Sequence, residues 1–380
     1  MRNKIIIIGA GVTGCSIAYN LAKKGMNDIL VIDKSYLTAG ATGRCGAGVR
    51  QQWATKANCI MAKHSIKFFE HAKETLGYEG DIEFKQEGYL ILATTKEEDL
   101  QFAKNVALQN SLGIPTKKLT PEEALKIVPH LNPKSFISAT YCQTDGHLNP
   151  FKMTDAYYQA AKKLGATFNF FEKVLDIKHD NDIYTVTTNK GIYQSEILID
   201  AAGGYSREIG LMVGLDIPVY AEKHEILVTE PISKMQGPMV MSFTKNLYCQ
   251  QVPHGSFLMG RTTPNQPKDH DISSSHEFLD EMAKTIDDIL PKIGELRVIR
   301  QWAGSYNMSP DKQPIICESD ELKNFYIAAG FSGHGFMFAP MTGILISEMI
   351  LNLPLSLETV MLHINRFKHQ TTHEVEKSVV

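Results

Sequence analysis

Unbroken runs of apolar residues, rich in isoleucine, predict buried strands near both ends of the chain. Strands that are hydrophobic at every position are typical of parallel sheets covered on both faces. Between the first two runs, apolar residues recur at helical spacing from Cys15 to Ala22. The chain is therefore predicted to open with a strand, a helix and a second strand. The apolar runs are residues 4–8, 29–33, 195–200 and 324–330.

The middle of the chain alternates between amphipathic helical patterns and short strand patterns. Thr120-Pro121-Glu122-Glu123 is a capping box and predicts the start of a helix, while Pro340 and Gly343 are expected to open the last helix. Further helices are predicted over residues 58–76, 96–112, 153–164 and 276–289. Strands are predicted at residues 89–93, through 167–199, and at 224–229, 240–243, 247–251 and 257–259.

The loop after the first strand reads Gly9-Ala10-Gly11-Val12-Thr13-Gly14, and the second strand ends in Asp33. Gly9 permits a tight turn, Gly11 lets the backbone approach a pyrophosphate, and Gly14 lets the helix pack closely on the strand. The helix N-terminus favours anionic phosphates, and the Asp33 carboxylate can accept hydrogen bonds from ribose hydroxyls. A glycine turn in an ordinary βαβ unit is the alternative, but the acid favours a dinucleotide-binding site.

Composition and charge disfavour several classes of protein. The chain has 380 residues, which favours two domains and allows three, and 39 Lys and Arg against 42 Asp and Glu give a net charge of −3. Nucleic-acid-binding proteins usually carry a basic excess, so that role is disfavoured. The six cysteines form no CxxC pair, which indicates reduced thiols in a cytoplasmic protein. No signal peptide is expected, and no apolar run reaches the ~20 residues of a transmembrane segment.

Three further segments narrow the choice of cofactor. Residues 40–50 are rich in small side chains, which suits a backbone wrapped closely around a planar ring. Residues 195–204 and 324–337 each run from a buried strand into a glycine-containing turn. Together with the fingerprint, and in this order, the segments resemble those of the D-amino-acid-oxidase-like FAD-dependent oxidoreductases. The resemblance covers essentially the whole chain and implies FAD as the cofactor.

Within that family the chain is most similar to the β subunits of dye-linked L-proline dehydrogenase and heterotetrameric sarcosine oxidase, and less similar to glycine oxidases. The likeness rests on residues 44–52, 302–304 and 328–337. It implies an α/β fold (α+β overall), with a discontinuous Rossmann-like FAD-binding domain and an inserted substrate domain built on a mostly antiparallel sheet. The expected FAD domain comprises residues 1–80, 145–215 and 303–370, the substrate domain residues 81–144 and 216–302, and a C-terminal tail residues 371–380.

The resemblance implies that FAD is bound non-covalently. Relatives that attach flavin through a cysteine carry it before a Pro-Asp turn; here the turn is Pro310-Asp311 and the matching position is Gly304. The lysine with which those relatives activate oxygen is missing near Leu258, which favours a dehydrogenase. The expected FAD contacts are Gly9, Gly11, Val12, Thr13, Gly14, Asp33, Lys34, Thr42, Gly43, Arg44, Gly46, Ala47, Gly48, Val174, Ala201, Ala202, Gly203, Gly304, Gly330, Gly333, His334, Gly335, Phe336 and Met337.

Four side chains are the predicted catalytic residues. Arg50 follows the stretch that the family places by the flavin and could hold a substrate carboxylate; a structural ion pair is the alternative. His334 lies between two glycines in the segment that the family places beside the flavin. Tyr248 and Tyr306 could line the substrate cavity, although tyrosine is common in strands. For His224, a site residue and a partly exposed sheet residue are equally compatible with the sequence.

The expected function is FAD-dependent oxidation of a small or secondary amino acid such as proline or sarcosine. A hydride equivalent leaves the carbon next to nitrogen for flavin N5, and an imine results. A dehydrogenase is favoured, acting as a catalytic β-type subunit with an electron-transfer partner, and an oligomer is compatible with this. The alternatives are a glycine or D-amino-acid oxidase that uses oxygen, or a flavoprotein that acts on a non-amine substrate.

Overall fold

Two large β-sheets surrounded by helices make up the computed structural model, which describes residues 2–263 and 266–368 with residues 376 and 378. The predicted tail lies outside the described residues except for these last two. The strands are β1 Arg2–Ile8, β2 Ile29–Ile32, β3 Gly48–Val49, β4 Tyr89–Ala93, β5 Lys117–Leu119, β6 Ser138–Cys142, β7 Gly146–His147, β8 Thr167–Asn169, β9 Val174–Asp180, β10 Ile183–Thr188, β11 Ile192–Asp200, β12 Tyr220–Thr229, β13 Met239–Ser242, β14 Leu247–Gln251, β15 Phe257–Thr262, β16 Val298–Met308, β17 Ile315–Glu318 and β18 Phe325–Ala329. The helices are α1 Val12–Lys23, α2 Lys56–Glu70, α3 Ala72–Leu76, α4 Lys96–Ser111, α5 Pro121–Ile127, α6 Pro150–Lys163, α7 Ser206–Met212, α8 His276–Ile289, α9 Pro291–Gly294 and α10 Gly335–Ile350.

The first sheet contains the parallel strands that the sequence predicts. Its order is β17-β18-β11-β1-β2-β8, and the β9–β10 hairpin is attached to β11. Strand β1 pairs in parallel with both β2 and β11, which places Ile6 opposite Leu30. Ile5 and Ile7 pack into the core that includes α1 and α10, whereas Ile6 packs into a separate core. Burial on both faces explains why Ile5 to Ile8 form an unbroken apolar run, whereas Lys4 before them is exposed.

The second sheet is antiparallel except for one pair of strands. Its order is β16-β12-β15-β14-β13-β4-β6-β5, in which only β13 and β4 run parallel. The strands come from two stretches, residues 89–142 and 220–308, separated by strands of the first sheet. This arrangement confirms the predicted fold class. The domain limits remain a prediction, and β16 runs across the one placed between residues 302 and 303.

Local patterns locate most elements closely. The strand predicted at residues 89–93 and the helix predicted at 276–289 have these bounds in the structure, and the capping box at Thr120 forms both of its hydrogen bonds. The helix predicted over residues 58–76 is two helices, because the backbone at His71 leaves helical geometry with φ −121° and ψ 15°. In the described part of the chain, no helix is long and apolar enough to cross a bilayer.

The start of the last helix was predicted wrongly. Helix α10 begins at Gly335 and holds Pro340 in its interior, whereas the sequence places the start at the proline. Proline is favoured in a first helical turn because it lacks the N–H group that an interior residue donates. Packing on α1 overrides this preference: a Cβ on Gly343 would lie only 2.3 Å from Ser16 Oγ. The positive end of α10 therefore lies at Gly335.

Candidate active site

A cavity of about 740 Å³ is lined by residues of both sheets. One part of its wall is the fingerprint loop and the segment after β2, and another part is formed by His224, Tyr248 and Tyr306 of the second sheet. Its volume lies within the ~300–1,000 Å³ that is usual for ligand sites. Among the described residues, no group of three or more His, Cys, Asp and Glu is placed to hold a metal ion. The cavity is therefore a candidate site for an organic ligand.

The fingerprint loop has the geometry that its glycines predict. Gly9 has φ +109°, and a Cβ there would lie 2.4 Å from the Ala201 carbonyl oxygen, so no other residue fits. A Cβ on Gly14 would lie 1.9 Å from the Gly9 carbonyl oxygen, which shows how closely α1 packs on the turn. Asp33 accepts a hydrogen bond from the Ala10 N–H at 2.7 Å. A carboxylate has about four acceptor positions, so Asp33 can still accept ribose hydroxyls.

The N-terminus of α1 is open to an anion. Its N-cap is Gly11, no side chain caps the helix, and its first turn contains no acidic residue. Gly11, Val12 and Thr13 all line the cavity, and the Val12 N–H donates to Thr42 Oγ1 at 3.1 Å. Unpaired N–H groups and the helix dipole both favour a phosphate at this position. This uncapped helix end, together with Asp33, fits the pyrophosphate and ribose of a dinucleotide such as FAD.

Three aromatic side chains of the second sheet form a stacked cluster in the cavity wall, which we call the roof cluster: His224, Tyr248 and Tyr306. The His224 ring lies parallel to the Tyr306 ring at a centroid distance of 4.3 Å and to the Tyr248 ring at 5.6 Å. His224 Nε2 is 3.2 Å from the Tyr248 hydroxyl, and Nδ1 is 3.0 Å from Thr262 Oγ1. Both ring nitrogens are thus hydrogen-bonded, which fixes the orientation of the ring.

Burial keeps the roof cluster uncharged. It lowers the pKa of His224 to about 3, and it raises the pKa of Tyr248 and of Tyr306 well above the usual value. Near pH 7 the cluster therefore consists of a neutral imidazole and two neutral phenols. Tyr306 lines the cavity, so its neutral phenol can contact a ligand bound there.

Glycine residues allow the roof tyrosines to approach the backbone. Gly333 has φ +91°, and a Cβ there would lie 2.5 Å from the Tyr306 ring. A Cβ on Gly260 would lie 2.1 Å from the Tyr248 hydroxyl. A larger residue at Gly333 would displace the Tyr306 ring, and one at Gly260 would displace the Tyr248 ring. The shape of the cavity therefore depends on these two glycines.

Arg50 lies next to the cavity rather than in its wall. Its guanidinium is buried, stacks over the Trp53 ring at 3.7 Å, and donates to the carbonyl oxygens of Gln52, at 2.6 Å, and Ser378. Burial lowers the pKa of Arg50, an effect that nearby Tyr89 and acidic groups oppose. The predicted substrate contact would require Arg50 to be reached from the cavity, and this role remains a prediction.

His334 is also buried outside the cavity wall. Its ring lies 4.7 Å from the Trp53 ring and 5.0 Å from that of Phe338. Burial, together with the positive charge of Arg50, lowers the pKa of His334 well below its usual value, so the imidazole is neutral. Its Nε2 has no hydrogen-bond partner among the described residues. His334 and Arg50 therefore both contact Trp53, and a direct role for His334 remains a prediction.

The predicted site residues divide into two groups. One group lines the cavity: Gly9, Gly11, Val12, Thr13, Asp33, Lys34, Thr42, Arg44, Val174, Ala201, Ala202, Gly203, Tyr248, Gly304, Tyr306, Gly333, Gly335 and Phe336. The other lies behind the wall: Gly14, Gly43, Gly46, Ala47, Gly48, Arg50, Gly330, His334 and Met337. A Cβ added to any of the five glycines in this second group would lie within 3.4 Å of a neighbouring atom, so these glycines shape the cavity indirectly.

Several wall residues were not selected from the sequence. His224 was left undecided, and Tyr205, Glu208 and His270 were not considered. Tyr205 and Glu208 follow the Ala-Ala-Gly turn closely, so their position after β11 was an available signal. His270 lies in the loop between β15 and α8, and nothing in the local sequence indicates that this loop reaches the cavity.

Comparison with known families identifies the cofactor class. Residues 4–349 match the sequence model of the family described as FAD dependent oxidoreductase. The chain belongs to this family. The match confirms the predicted cofactor and the predicted D-amino-acid-oxidase-like relationship, and it makes the protein an FAD-dependent oxidoreductase.

Individual relatives of this flavoprotein act on amino acids and amines. A crystal structure of L-proline dehydrogenase from P. horikoshii is 37% identical with a TM-score of 0.91, covering 97% of this chain and 98% of that one. Glycine oxidase of Geobacillus kaustophilus is 26% identical, covering 92% of this chain and 93% of its own length. Mitochondrial dimethylglycine dehydrogenase of Rattus norvegicus is 28% identical over 98% of this chain but only 45% of its own length. The chain thus spans about half the length of the dimethylglycine dehydrogenases that it matches.

Proposed function

We propose that the chain oxidises a small secondary amino acid, with L-proline as the first candidate, and passes the electrons to a carrier other than oxygen. The observation that carries the proposal is the neutral roof cluster facing a cavity whose opposite wall fits a dinucleotide. The likeness to L-proline dehydrogenase, which covers 97% of this chain at 37% identity, supports proline within that substrate class. When bound, FAD accepts the hydride equivalent at its N5.

The cavity favours an uncharged amine beside the roof cluster. Three carboxylates line the cavity, and Asp33, Glu172 and Glu208 all belong to the fingerprint side rather than to the second sheet. An ammonium group placed among neutral aromatic rings would have no anionic partner, so the amine binds after losing its proton to water. The carbon next to nitrogen then gives up a hydride, and the nitrogen lone pair forms the imine bond.

Hydroxyl groups of the roof cluster are placed to hold the substrate carboxylate. Tyr306 and Tyr248 both line the cavity, and the Tyr248 hydroxyl is hydrogen-bonded to His224 Nε2. Neutral phenols donate hydrogen bonds to a carboxylate without the desolvation cost of a second charge. We assign them this role, with Arg50 supplying positive charge from behind the wall. We assign the predicted FAD contacts that line the cavity to binding of the cofactor.

The choice of dehydrogenase over oxidase rests on the absence of a lysine beside the roof cluster among the described residues of the cavity wall. Two lysines line the cavity, Lys34 and Lys173, and both lie on the side of Asp33. Leu258 stands where the oxygen-activating lysine was expected from relatives, and its side chain packs against Gly46. Gly304 in the cavity wall offers no side chain for covalent attachment, so FAD is held non-covalently. A separate electron-transfer partner then completes the reaction.

Anaerobic reduction of the bound flavin tests the proposal directly. The FAD-loaded protein is mixed without oxygen with L-proline, D-proline, sarcosine or glycine, and the visible flavin band is followed. We expect L-proline to bleach the band fastest and readmitted air to restore it only slowly. Bleaching by none of the four would refute an amino-acid substrate of this class. Fast recovery in air would instead identify an oxidase, and fastest bleaching by glycine would favour the function of the glycine oxidases.

A further inference from the structure

The loop between β15 and α8 reaches from the second sheet to the cavity. Its described residues are 266–275, and the side chains of His270 and Ile272 form part of the cavity wall. The loop is anchored to β12 at two points. Asp271 pairs with Lys223 at 3.0 Å, and Ser275 donates to the buried carboxylate of Glu225 through its N–H at 2.6 Å and its hydroxyl at 2.9 Å.

Hydrogen bonds from Ser273, together with the Lys223 cation, lower the pKa of Asp271 to about 2. The anchoring carboxylate is therefore ionised throughout the range in which the protein would be studied. A loop fixed at Asp271 and Ser275 holds the intervening side chains, and those just before them, in a defined position. The two anchors on β12 thus fix the position of His270 at the cavity.

His270 is fastened to the first sheet by two contacts. Its ring lies parallel to that of Tyr205, with centroids 3.8 Å apart and planes 10° apart. Its Nε2 is 2.6 Å from Glu208 Oε1 in α7. On the Tyr205 ring, Lys34 Nζ lies 3.1 Å from the centroid. Lys34, Tyr205 and His270 thus form a three-layered stack. Lys34 follows β2, Tyr205 follows β11 and His270 lies in the loop after β15, so the stack joins three separate parts of the fold.

This stack lies on the side of the cavity where the adenosine of FAD belongs. The fingerprint places the pyrophosphate at the α1 N-terminus and a ribose at Asp33, and Lys34 is the next residue. Lys34, Tyr205 and His270 line the same cavity as Asp33. The roof cluster comes from β12, β14 and β16, and its His224 lies in β12 between Lys223 and Glu225, the two residues that anchor the loop. The loop therefore bridges the two sheets beside the cavity, with His270 on the adenosine side.

We infer that residues 266–275 form a latch over the adenosine side of FAD, and that the contacts of His270 with Tyr205 and Glu208 set the rate of cofactor release. For FAD to leave, the loop must separate from Tyr205. A stacked aromatic pair and a partly exposed hydrogen bond must then break together, so losing them should speed release about tenfold. The inference rests on FAD binding and is independent of the amino acid that is oxidised.

Release of FAD from the loaded protein tests the latch without using activity. The loaded protein is diluted to nanomolar concentration, and the rise in fluorescence of the freed FAD gives the release rate. We expect His270→Ala to release FAD about tenfold faster than the unmodified protein. His276→Ala is the matched control, because His276 is an exposed histidine at the start of α8 that does not line the cavity, and it should leave the rate unchanged.

A double variant distinguishes the latch from a general loosening of the protein. Tyr205→Leu should speed release by a smaller factor, because the hydrogen bond from His270 to Glu208 remains. Combining it with His270→Ala should add little to His270→Ala alone, because that change already removes the stacking contact. Equal release rates for His270→Ala, His276→Ala and the unmodified protein would overturn the inference. Full additivity of the two changes would also overturn it. So would a clear fall in the melting temperature of the His270→Ala apoprotein, because general destabilisation would then explain the faster release.

Discussion

Replacing His224 with glutamine should destabilise the fold at neutral pH and much less at acidic pH. His224 is buried, and burial lowers its pKa from 6.5 to about 3. In the unfolded chain the ring is in water, so between these two values the unfolded state binds more protons than the folded state. The stability that the neutral ring provides is therefore complete above pH 6.5 and is lost as the pH falls towards 3.

The size of the effect follows from this shift. At pH 5, protonation of His224 stabilises the unfolded state by ~2 kcal/mol. This pH lies ~1.5 units below the pKa of the ring in the unfolded chain, and each unit is worth ~1.4 kcal/mol. Glutamine loses the ring contact with Tyr306 at 4.3 Å and replaces the bonds to Tyr248 and Thr262 imperfectly, which costs ~2 kcal/mol at pH 7. We expect the variant to be ~2 kcal/mol less stable than the unmodified protein at pH 7, and about equally stable at pH 5.

Urea unfolding of the apoprotein at pH 5, 6, 7 and 8, followed by circular dichroism, measures the difference without stabilisation by bound FAD. Burial raises the pKa of Asp200 to about 7 and of Asp145 to about 6, which acts in the opposite direction, but both groups are present in both proteins and cancel. His254→Gln, in the exposed β14–β15 loop, is the control and should show no such pH dependence. A difference between His224→Gln and the unmodified protein that stays constant from pH 8 to 5 would refute the reasoning.

Three further changes test the site. Gly333→Ala places a Cβ 2.5 Å from the Tyr306 ring at φ +91°, so we expect a loss of ~2–4 kcal/mol in the free energy of unfolding, measured by urea titration. Asp33→Ala removes the acceptor of the Ala10 N–H and of the ribose, and should weaken FAD binding ~10–100-fold in a fluorescence titration. Arg50→Ala should slow anaerobic reduction of the flavin by substrate more than it weakens FAD retention; equal effects on both would contradict its assigned role.

The apolar runs and the spacing of the fingerprint residues were sufficient to predict the cofactor-binding half of the protein. The run at residues 4–8 predicts a strand buried on both faces because its four consecutive isoleucines alternate between the two faces of a sheet, and the structure places it among the parallel strands of the first sheet. The positions of Gly9, Gly14 and Asp33 are fixed by close approach of the backbone and by one carboxylate. The constraints on Gly14 and Asp33 act within the opening strand, helix and strand, so the spacing alone carries them, whereas the contact of Gly9 with Ala201 joins distant parts of the chain.

The substrate side depended on contacts between residues far apart in the chain. His224, Tyr248 and Tyr306 come from three strands of the second sheet, and only strand order and register bring their rings together. Arg50 and His334 were chosen for their neighbours in sequence, yet the fold places both outside the cavity wall and in contact with Trp53.

Packing between distant elements likewise decided where α10 begins, against the local preference of Pro340. The sequence by itself determined which elements form and that a dinucleotide binds, because backbone turns and continuous burial are local properties. Tertiary structure alone decided which side chains face the ligand, because that depends on how two sheets pack across a cavity.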